Sequence, residues 1–391
     1  MTVLTLPLAD QADGLLRDLA RITGSEAIAA LDGATLLGER ALLFGYRVPG
    51  RVAAGGGCQL YQARDGSIAL NLARAADREL LPALLQQELP DLHDAGAIAA
   101  AIARSDAATL LERGRLLGLA IAAEDETPPP RAAACTQLLA GRAAPTARRA
   151  APRVIDLSSL WAGPLAAHLL WLAGAEVIKV ESRQRPERLV DSDPSFYELL
   201  NQGKSIRLLD FRTPAGLAAL RELLASADIV IEASRPRALL QLGIDAASLL
   251  HEHPGLVWIT ITAHGAEGEA AHWIGFGDDC GVAAGLSAAL RAATGGGGFV
   301  GDAIADPLTG VRAALAAWEH WQTGCGARIG VSMTAVVADC LAAARAADAA
   351  GLDAQLRAWQ AAAGEPYPAV QRRAITARSR RSGPSAAPSA R

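Results

Sequence analysis

Residues 153–182, RVIDLSSLWAGPLAAHLLWLAGAEVIKVES, decide the fold because they predict a strand, a helix and a second strand in that order. RVIDLS and EVIKVES are apolar runs typical of buried parallel strands, and LAAHLLWLAGA between them has the composition of a helix. Three more strands follow, separated by helical segments: SIRLLD at 205–210, DIVIEAS at 228–234 and LVWITITA at 256–263. This alternation predicts an α/β fold with a Rossmann-like, doubly wound parallel sheet.

Ligands of such sheets bind beyond the carboxyl ends of the strands, which predicts a site in the loops after Leu157, Val180, Ser234 and Ala263. The first loop, SSLWAGP, has no GxGxxG, so the sequence argues against a NAD or FAD site even though Glu181 ends the second strand. Basic residues near these loops weakly favour an anionic ligand, although each alone is most often an ordinary surface residue. They are Arg183, Arg185, Lys204, Arg235 and Arg237.

A second informative stretch, GGGGFVGDAIADPLTGVRAALAAW at 295–318, combines a glycine run with an apolar helix. Four consecutive glycines predict a loop, since ordering each one costs backbone entropy. Asp306 precedes Pro307, which suits the first turn of a helix, so Asp306 is predicted to be the N-cap. Two interpretations stay open: an ordinary capping aspartate, or a carboxylate beside a flexible loop that acts as a nucleophile.

Residues 1–126 predict a smaller α+β domain that precedes the large sheet. Within AAGGGCQLYQARDGSIALNLAR at 53–74, a glycine loop, Gly55–Gly57, leads into a hairpin that turns at Asp65-Gly66. The Pro, Ala and Arg content of 127–152 predicts a linker, so the parallel-sheet domain is assigned to 153–346. Residues 347–391 are predicted to be a C-terminal tail that is partly disordered.

Bulk composition excludes several classes of protein. A net charge of −4 and a pI near 6.0 give no electrostatic case for nucleic acid. The five cysteines are scattered and form no CxxC pair, so we expect reduced thiols and no metal site. The N-terminus lacks the pattern of a signal peptide, and no apolar run is long enough to span a membrane. These features predict a cytoplasmic protein without membrane segments.

Six segments occur in an order that resembles the family III CoA-transferases, the CaiB/BaiF family, to which formyl-CoA transferase and α-methylacyl-CoA racemase belong. The resemblance covers about residues 153–345. The segments are DLSSLWAGP, GAEVIKVES, LLNQGKSIRLLDFRTPAG, ADIVIEASRPRALLQLGI, HPGLVWITITAHG, and DPLTGVRAALAAW followed by TGCGARIGVSM. Each segment alone is a weak signal, but six in the family's order are a specific one.

The resemblance implies that Asp306 is the catalytic nucleophile. It would attack an acyl-CoA to give a mixed anhydride, then an aspartyl-CoA thioester, so that coenzyme A moves between carboxylic acids without a metal. It also implies a homodimer and a lid formed by Gly55, Gly56 and Gly57. The implied coenzyme A contacts are Ser159, Leu160, Trp161, Ala162, Arg183 (beside Ser182, where formyl-CoA transferase has arginine), Asn201, Lys204, Ser234, Arg235 and Arg237.

Two departures from the family stand out. The small domain comes first here instead of following the Rossmann core, so the chain resembles a circular permutation with its join in 127–152. Where racemases have a histidine, this chain has Phe276, which disfavours the alternative of an acyl-CoA racemase or epimerase; His264 is the fallback. Asp278 and Asp279 are equally open to lining the pocket or capping a loop. A catalytically inactive acyl-CoA-binding protein is the alternative from another class.

Overall fold

The computed structural model describes residues 4–144, 149–187 and 189–382 of the 391-residue chain. The helices are α1 (Ala9–Thr23), α2 (Glu26–Ala29), α3 (Gly33–Phe44), α4 (Ala75–Glu79), α5 (Leu81–Leu85), α6 (Ala95–Ile102), α7 (Ala107–Leu117), α8 (Ala162–Leu172), α9 (Leu189–Ser192), α10 (Pro194–Asn201), α11 (Pro214–Ala225), α12 (Pro236–Gln241), α13 (Ala246–Glu252), α14 (Gly277–Ala283), α15 (Leu286–Thr294), α16 (Ala305–Thr323) and α17 (Met333–Ala361). The strands are β1 (Cys58–Gln62), β2 (Ser67–Asn71), β3 (Ala120–Ala123), β4 (Cys135–Ala143), β5 (Arg153–Asp156), β6 (Glu176–Ser182), β7 (Ser205–Leu209), β8 (Ile229–Glu232), β9 (Val257–Thr262), β10 (Cys325–Ser332) and β11 (Arg380–Ser382). None of the described helices is long and apolar enough to cross a membrane.

The large sheet has the order β11-β7-β6-β5-β8-β9-β10-β4, and every neighbouring pair is parallel except β10 with β4. Alternate residues of its central strands are buried on opposite faces, as the period of a strand requires. Val154 and Ile229 belong to the apolar cluster beneath α8 and α16, whereas Ile155 and Val230 belong to the cluster with α11 and α13. Both faces are therefore covered, which confirms the predicted α/β class and its mostly parallel sheet.

The N-terminal third of the chain contributes to two separate cores. Strands β1, β2 and β3 form an antiparallel sheet, in which the predicted hairpin is confirmed, and they share a core with α5, α6 and α7. Helices α1 and α3 instead pack into the core of the large sheet, where Leu16, Leu19, Leu36 and Leu37 are buried. The predicted small domain, 1–126, thus includes helices that cover the large sheet.

The segment predicted to be a linker contains strand β4, which pairs with β10 at the edge of the large sheet. An edge strand with a solvent-facing side needs few apolar residues, which explains why composition missed it. The pairing also depends on a small residue, since a Cβ on Gly141 would lie 2.7 Å from the backbone of Gly326. Residues 145–148 of the same segment lie outside the described residues.

The predicted C-terminal tail is largely ordered as far as residue 382. Helix α17 continues to Ala361, and β11 then pairs with β7. Between them, Arg373 forms a two-bonded ion pair with Glu39, with Nε–Oε2 at 2.6 Å and Nη2–Oε1 at 2.5 Å. The basic composition suggested a solvated segment because it does not reveal a buried partner more than 300 residues away. The part of the prediction that concerns 383–391 falls outside the described residues.

Candidate active site

A cavity of about 1100 Å³ opens at the carboxyl ends of β5, β6 and β8, where the topology of the sheet predicts a ligand. Its wall on the side of the large sheet is formed by Leu157–Trp161, Val180–Ser182 and Ser234. The opposite wall comes from the glycine loop, from Asn71 at the end of β2 and from Arg74 before α4. The cavity therefore lies between the two sheets.

Asp306 faces this cavity from the start of α16. The predicted role as N-cap is wrong: α16 begins at Ala305, Asp306 is its second residue, and the cap position is occupied by Ile304. The Asp306 N–H donates to the Ala303 carbonyl at 2.9 Å across a turn in which Ile304 already has helical backbone angles, φ −56° and ψ −25°. Pro307 is tolerated there, since the first four N–H groups of a helix have no partner within it. The carboxylate is consequently not used for capping.

The surroundings of Asp306 move its ionisation from the acidic range toward neutral pH. Its Oδ1 accepts a hydrogen bond from the Ala162 N–H at 3.3 Å, and a Cβ on Gly277 would overlap Oδ2. Burial raises the pKa of Asp306 to about 7; Arg40 and the Ala162 N–H oppose this rise, whereas Asp278 and Asp302 add to it. Asp306 forms no direct ion pair with a described residue. Its carboxylate is available to a ligand.

Arg40, from α3, is a site residue that sequence reasoning missed. It binds the buried carboxylate of Asp302 through two bonds, Nε–Oδ2 at 2.8 Å and Nη2–Oδ1 at 2.5 Å. Its guanidinium also lies over the Trp161 ring, 4.8 Å from the centroid. No local pattern could have revealed this arginine, because 262 residues separate it from Asp302. Asp302 lies four positions before Asp306, within the stretch 295–318 that the sequence had already identified as informative. Its acidic side chain in that stretch was a weak signal of a site residue.

The glycine loop reaches the cavity with two of its three residues. Gly55 and Gly57 line it, whereas Gly56, at φ 73°, is exposed on the outer side of the turn. A Cβ on Gly55 would lie 3.6 Å from Arg40 Nη2 and 3.7 Å from Tyr46 Oη, so the loop passes directly above the arginine. The structure thus brings part of the predicted lid and Asp306 to one cavity.

The predicted coenzyme A contacts divide into residues at the cavity, exposed arginines outside its lining, and a buried pair. Ser159, Leu160, Trp161 and Ser234 line the cavity, and Ala162 contributes the N–H that binds Asp306. Arg183, Arg235 and Arg237 are exposed and do not belong to the described lining. Arg185, one of the basic residues that favoured an anionic ligand, and Arg212, which was not predicted, line the cavity and are also exposed.

Asn201 and Lys204 are not brought to the cavity. Lys204 Nζ is completely buried and donates to Asp156 Oδ2 at 2.9 Å, to the Pro164 carbonyl at 2.8 Å and to Asn201 Oδ1 at 2.9 Å. Burial lowers the pKa of Lys204 to about 8 despite the adjacent carboxylate. Asn201 and Lys204 therefore support the β5 loop from beneath and do not line the cavity.

The two neighbouring aspartates have different roles. Asp278 lines the cavity and accepts the Ala303 N–H at 2.9 Å, and burial raises its pKa to about 6. Asp279 is fully buried and accepts the Phe276 N–H at 3.1 Å and Asn71 Nδ2 at 3.1 Å. Burial raises the pKa of Asp279 to about 8. The two interpretations left open are thus divided between the residues: one lines the pocket and the other caps α14.

The racemase alternative finds no histidine in the described lining of the cavity. Phe276 lines it at the position in question. His264 Nδ1 lies 3.2 Å from Thr334 Oγ1, and burial lowers the pKa of His264 to about 3. His264 is outside the lining, so it does not replace the missing base.

Comparison with known proteins identifies the family of the chain. A family model described as "CoA-transferase family III" matches residues 151–371. The chain is 34% identical over 137 residues to a succinate–glutarate CoA-transferase of Agrobacterium fabrum, covering 32% of this chain and 34% of the relative. It is 30% identical over 185 residues to a succinyl-CoA–D-citramalate CoA-transferase of Chloroflexus aurantiacus, covering 44% and 46%. A crystal structure of a hypothetical protein from Mycobacterium tuberculosis matches with TM-score 0.45 and 28% identity, covering 50% of this chain and 57% of that chain. The matches span about a third to a half of the length of these curated relatives.

Proposed function

The chain belongs to CoA-transferase family III, and from this premise we propose that it transfers coenzyme A between carboxylic acids with Asp306 as the nucleophile. The observation that carries the proposal is the Asp306 carboxylate, which faces a cavity of about 1100 Å³ and has no direct cationic partner among the described residues. The related proteins are named as CoA-transferases acting on small acids, which agrees with this reaction class.

The reaction divides one acyl exchange into two symmetrical halves. An Asp306 oxygen attacks the thioester carbonyl, the C–S bond breaks, and coenzyme A leaves as a thiolate with an acyl-aspartyl anhydride behind it. The thiolate attacks the Asp306 carbonyl carbon, which releases the donor acid and leaves an aspartyl-CoA thioester. The acceptor carboxylate then reverses both steps, and Asp306 is regenerated as a free carboxylate.

The residues around Asp306 fit the demands of this sequence. The Ala162 N–H, 3.3 Å from Oδ1, would bind the oxygen on which charge develops when the aspartyl carbonyl is attacked. An anhydride is destroyed by water, and the loop of Gly55 and Gly57 stands on the opposite wall, where it can limit access of water. Ser159, Leu160, Trp161 and Ser234 are proposed to contact the coenzyme A portion.

The proposal extends to the organisation of the chain. The family match begins at residue 151, after the β1–β2–β3 sheet, which supports a circular permutation relative to the usual order. We propose a homodimer in the cytoplasm, for which the five unpaired cysteines indicate a reducing environment. Light scattering of the purified protein tests the dimer directly, and a monomer at micromolar concentration would contradict it.

The test of function is to trap the covalent intermediate. The protein is incubated with a panel of acyl-CoAs and then treated with hydroxylamine, which converts an activated aspartyl group into a hydroxamate that peptide mass spectrometry can locate. We expect the modification on Asp306, with none in Asp306→Asn, and a loss of transfer in that variant on the order of 10⁴-fold or more.

Each of the other outcomes would support a different function or a different nucleophile. Binding of acyl-CoA without a trapped adduct would overturn the proposal in favour of an inactive binding protein. Adduct formation at an unchanged level in Asp306→Asn would overturn the assignment of the nucleophile. Exchange of the α-proton of bound acyl-CoA with deuterated solvent, without transfer, would support the racemase alternative.

A further inference from the structure

Four charged side chains meet at the base of the cavity, and three of them are carboxylates. Asp306 and Asp278 face the cavity, and Asp302 is fully buried behind them. Arg40 is the cation among this group and is 22% exposed. Carboxylates that share one buried site disfavour one another's ionisation, whereas a cation among them favours it.

Arg40 is fixed on three sides. Asp302 binds it through two parallel bonds, the Trp161 ring lies against its face, and the Gly55 backbone passes beside Nη2. A two-bonded arginine–carboxylate pair of this kind sets the orientation of the guanidinium as well as its charge. The charge of Arg40 is therefore held at one place in the cavity that Asp306 also lines, although the two side chains form no direct bond.

We infer that Arg40, oriented by Asp302, is a positioning residue that keeps the Asp306 carboxylate ionised and ready to attack, an inference that rests on the proposed function. Asp302 has two opposing effects in this arrangement. It holds the guanidinium in place, and its own negative charge offsets part of the field that Arg40 exerts on Asp306. Removing Arg40 and removing Asp302 should consequently change the ionisation of Asp306 in opposite directions.

The groups that face Asp306 from each neighbouring element agree with this reasoning. Arg40 comes from α3, Asp278 from α14, Asp302 from the loop before α16, and the Ala162 N–H from α8. Of these, Arg40 and the N–H lower the pKa of Asp306, whereas the two carboxylates raise it. Tyr46, which also lines the cavity, Tyr367 and Asp193 are the other titratable groups within the electrostatic influence of Arg40.

The inference also gives a role to the part of the chain outside the family match. Residues 151–371 contain Asp278, Asp302 and Asp306, but Arg40 lies in α3, more than 100 residues before the match begins. The catalytic carboxylate would thus depend on a helix that the matched segment lacks.

The experiment measures the pH midpoint of Asp306 ionisation in two independent ways. One is the pH dependence of single-turnover adduct formation. The other, which needs no activity, is the pH dependence of the stability difference between each variant and the same variant carrying D306N, because this difference follows the titration of residue 306. If the proposed function fails, the second measurement still tests the influence of Arg40.

We expect Arg40→Met to raise the midpoint by about one pH unit, which is a tenfold loss of ionised Asp306 on the acidic side. Asp302→Asn should lower the midpoint, since it leaves the whole charge of Arg40 to the remaining carboxylates. Arg40→Lys should recover part of the shift, as lysine keeps the charge without the two-bonded geometry. Asp302→Asn alone remains informative if Arg40→Met does not fold.

The matched control is the ion pair of Glu39, the residue before Arg40 on α3. Glu39 binds Arg373 with the same two-bonded geometry, and neither residue lines the cavity. Arg373→Met and Glu39→Gln should lower the melting temperature without moving the midpoint. The inference is overturned if Arg40→Met and Asp302→Asn shift the midpoint in the same direction, or if neither shifts it more than the control variants do.

Discussion

Asp156 and Asp306 are two aspartates near the carboxyl edge of one sheet, and they differ in what lies opposite their oxygens. Asp156 ends β5, and the Nζ of Lys204 lies 2.9 Å from its Oδ2 in a pair that is 0% exposed. Asp306 is partly exposed to the cavity and receives one backbone hydrogen bond at 3.3 Å. Burial alone would raise the pKa of both carboxyls. For Asp156, Lys204, Lys179 and hydrogen bonds lower the pKa to about 2, whereas that of Asp306 rises to about 7.

The difference separates a carboxylate suited to a structural role from one suited to reaction. A buried carboxylate whose anion is satisfied by a direct cation stabilises the fold at neutral pH but is a poor nucleophile, because attack would require the pair to separate. A carboxylate without such a partner destabilises the fold when ionised and is available to react. The two aspartates thus have opposite effects on stability, and three measurements can test this contrast.

The largest effect on stability is expected for Lys204→Met. Removing the cation leaves Asp156 as an unpaired charge in the interior, which should destabilise the protein by about 3–5 kcal/mol at pH 7. The midpoint of urea unfolding measures this change. The double variant Asp156→Asn, Lys204→Met should recover part of the loss, because no unpaired charge remains. An equal loss in the single and double variants would contradict the importance of the pair.

The second effect is opposite in sign and concerns Asp306→Asn. The folded-state pKa of Asp306 is raised, so its contribution to stability is fully present below the unfolded value near 4 and is lost as pH rises through about 7. Asp306→Asn should therefore stabilise the protein by roughly 2–4 kcal/mol at pH 8 and by little at pH 4.

Melting temperatures of both proteins between pH 4 and 8 measure this difference. Asp156 should behave in the reverse sense: its folded-state pKa is lowered, so its contribution is present above about pH 4 and is lost as pH falls toward 2. A stabilising effect of Asp306→Asn that does not depend on pH would contradict the titration of that residue.

The smallest effect is expected in the pH profile of the wild-type reaction. If the anion of Asp306 is the nucleophile, the single-turnover rate should rise about tenfold between pH 6 and 8, since the ionised fraction rises by that factor around a pKa near 7. Rapid-quench measurements with one acyl-CoA over this range provide the test. A rate that is constant over the range would indicate that Asp306 is already ionised at pH 6.

The fold of the large sheet was predictable because its strands are short, apolar and regularly separated by helices. The same reasoning missed β4, whose exposed edge position leaves little apolar pattern, and the ordered residues 371–382, which are fixed by a distant partner. The sequence also could not show that α1 and α3 pack on the large sheet. The apolar face of a helix indicates that it is buried but does not specify which core it covers.

Residues of the candidate site were predictable only where they belong to a local sequence motif. Asp306 was placed at a helix start by Pro307 and by family resemblance, but its exact position relative to that start was wrong. Lys204 was predicted to contact a ligand because a motif gives the position of a residue without the direction of its side chain, which is buried against Asp156 and the Pro164 carbonyl. Arg40 could not be predicted, since it is separated from its partner Asp302 by 262 positions and the two share no local pattern.

That separation also affects how the molecule is made. At about 5–20 residues per second, a ribosome needs roughly 13–50 s to synthesise the chain between Arg40 and Asp302. During this interval the β1–β2–β3 unit can fold, but α3 lacks the helix α16 on which its neighbour α1 packs. The N-terminal helices would therefore expose apolar surface until late in translation, which makes them the expected binding sites for chaperones on the nascent chain.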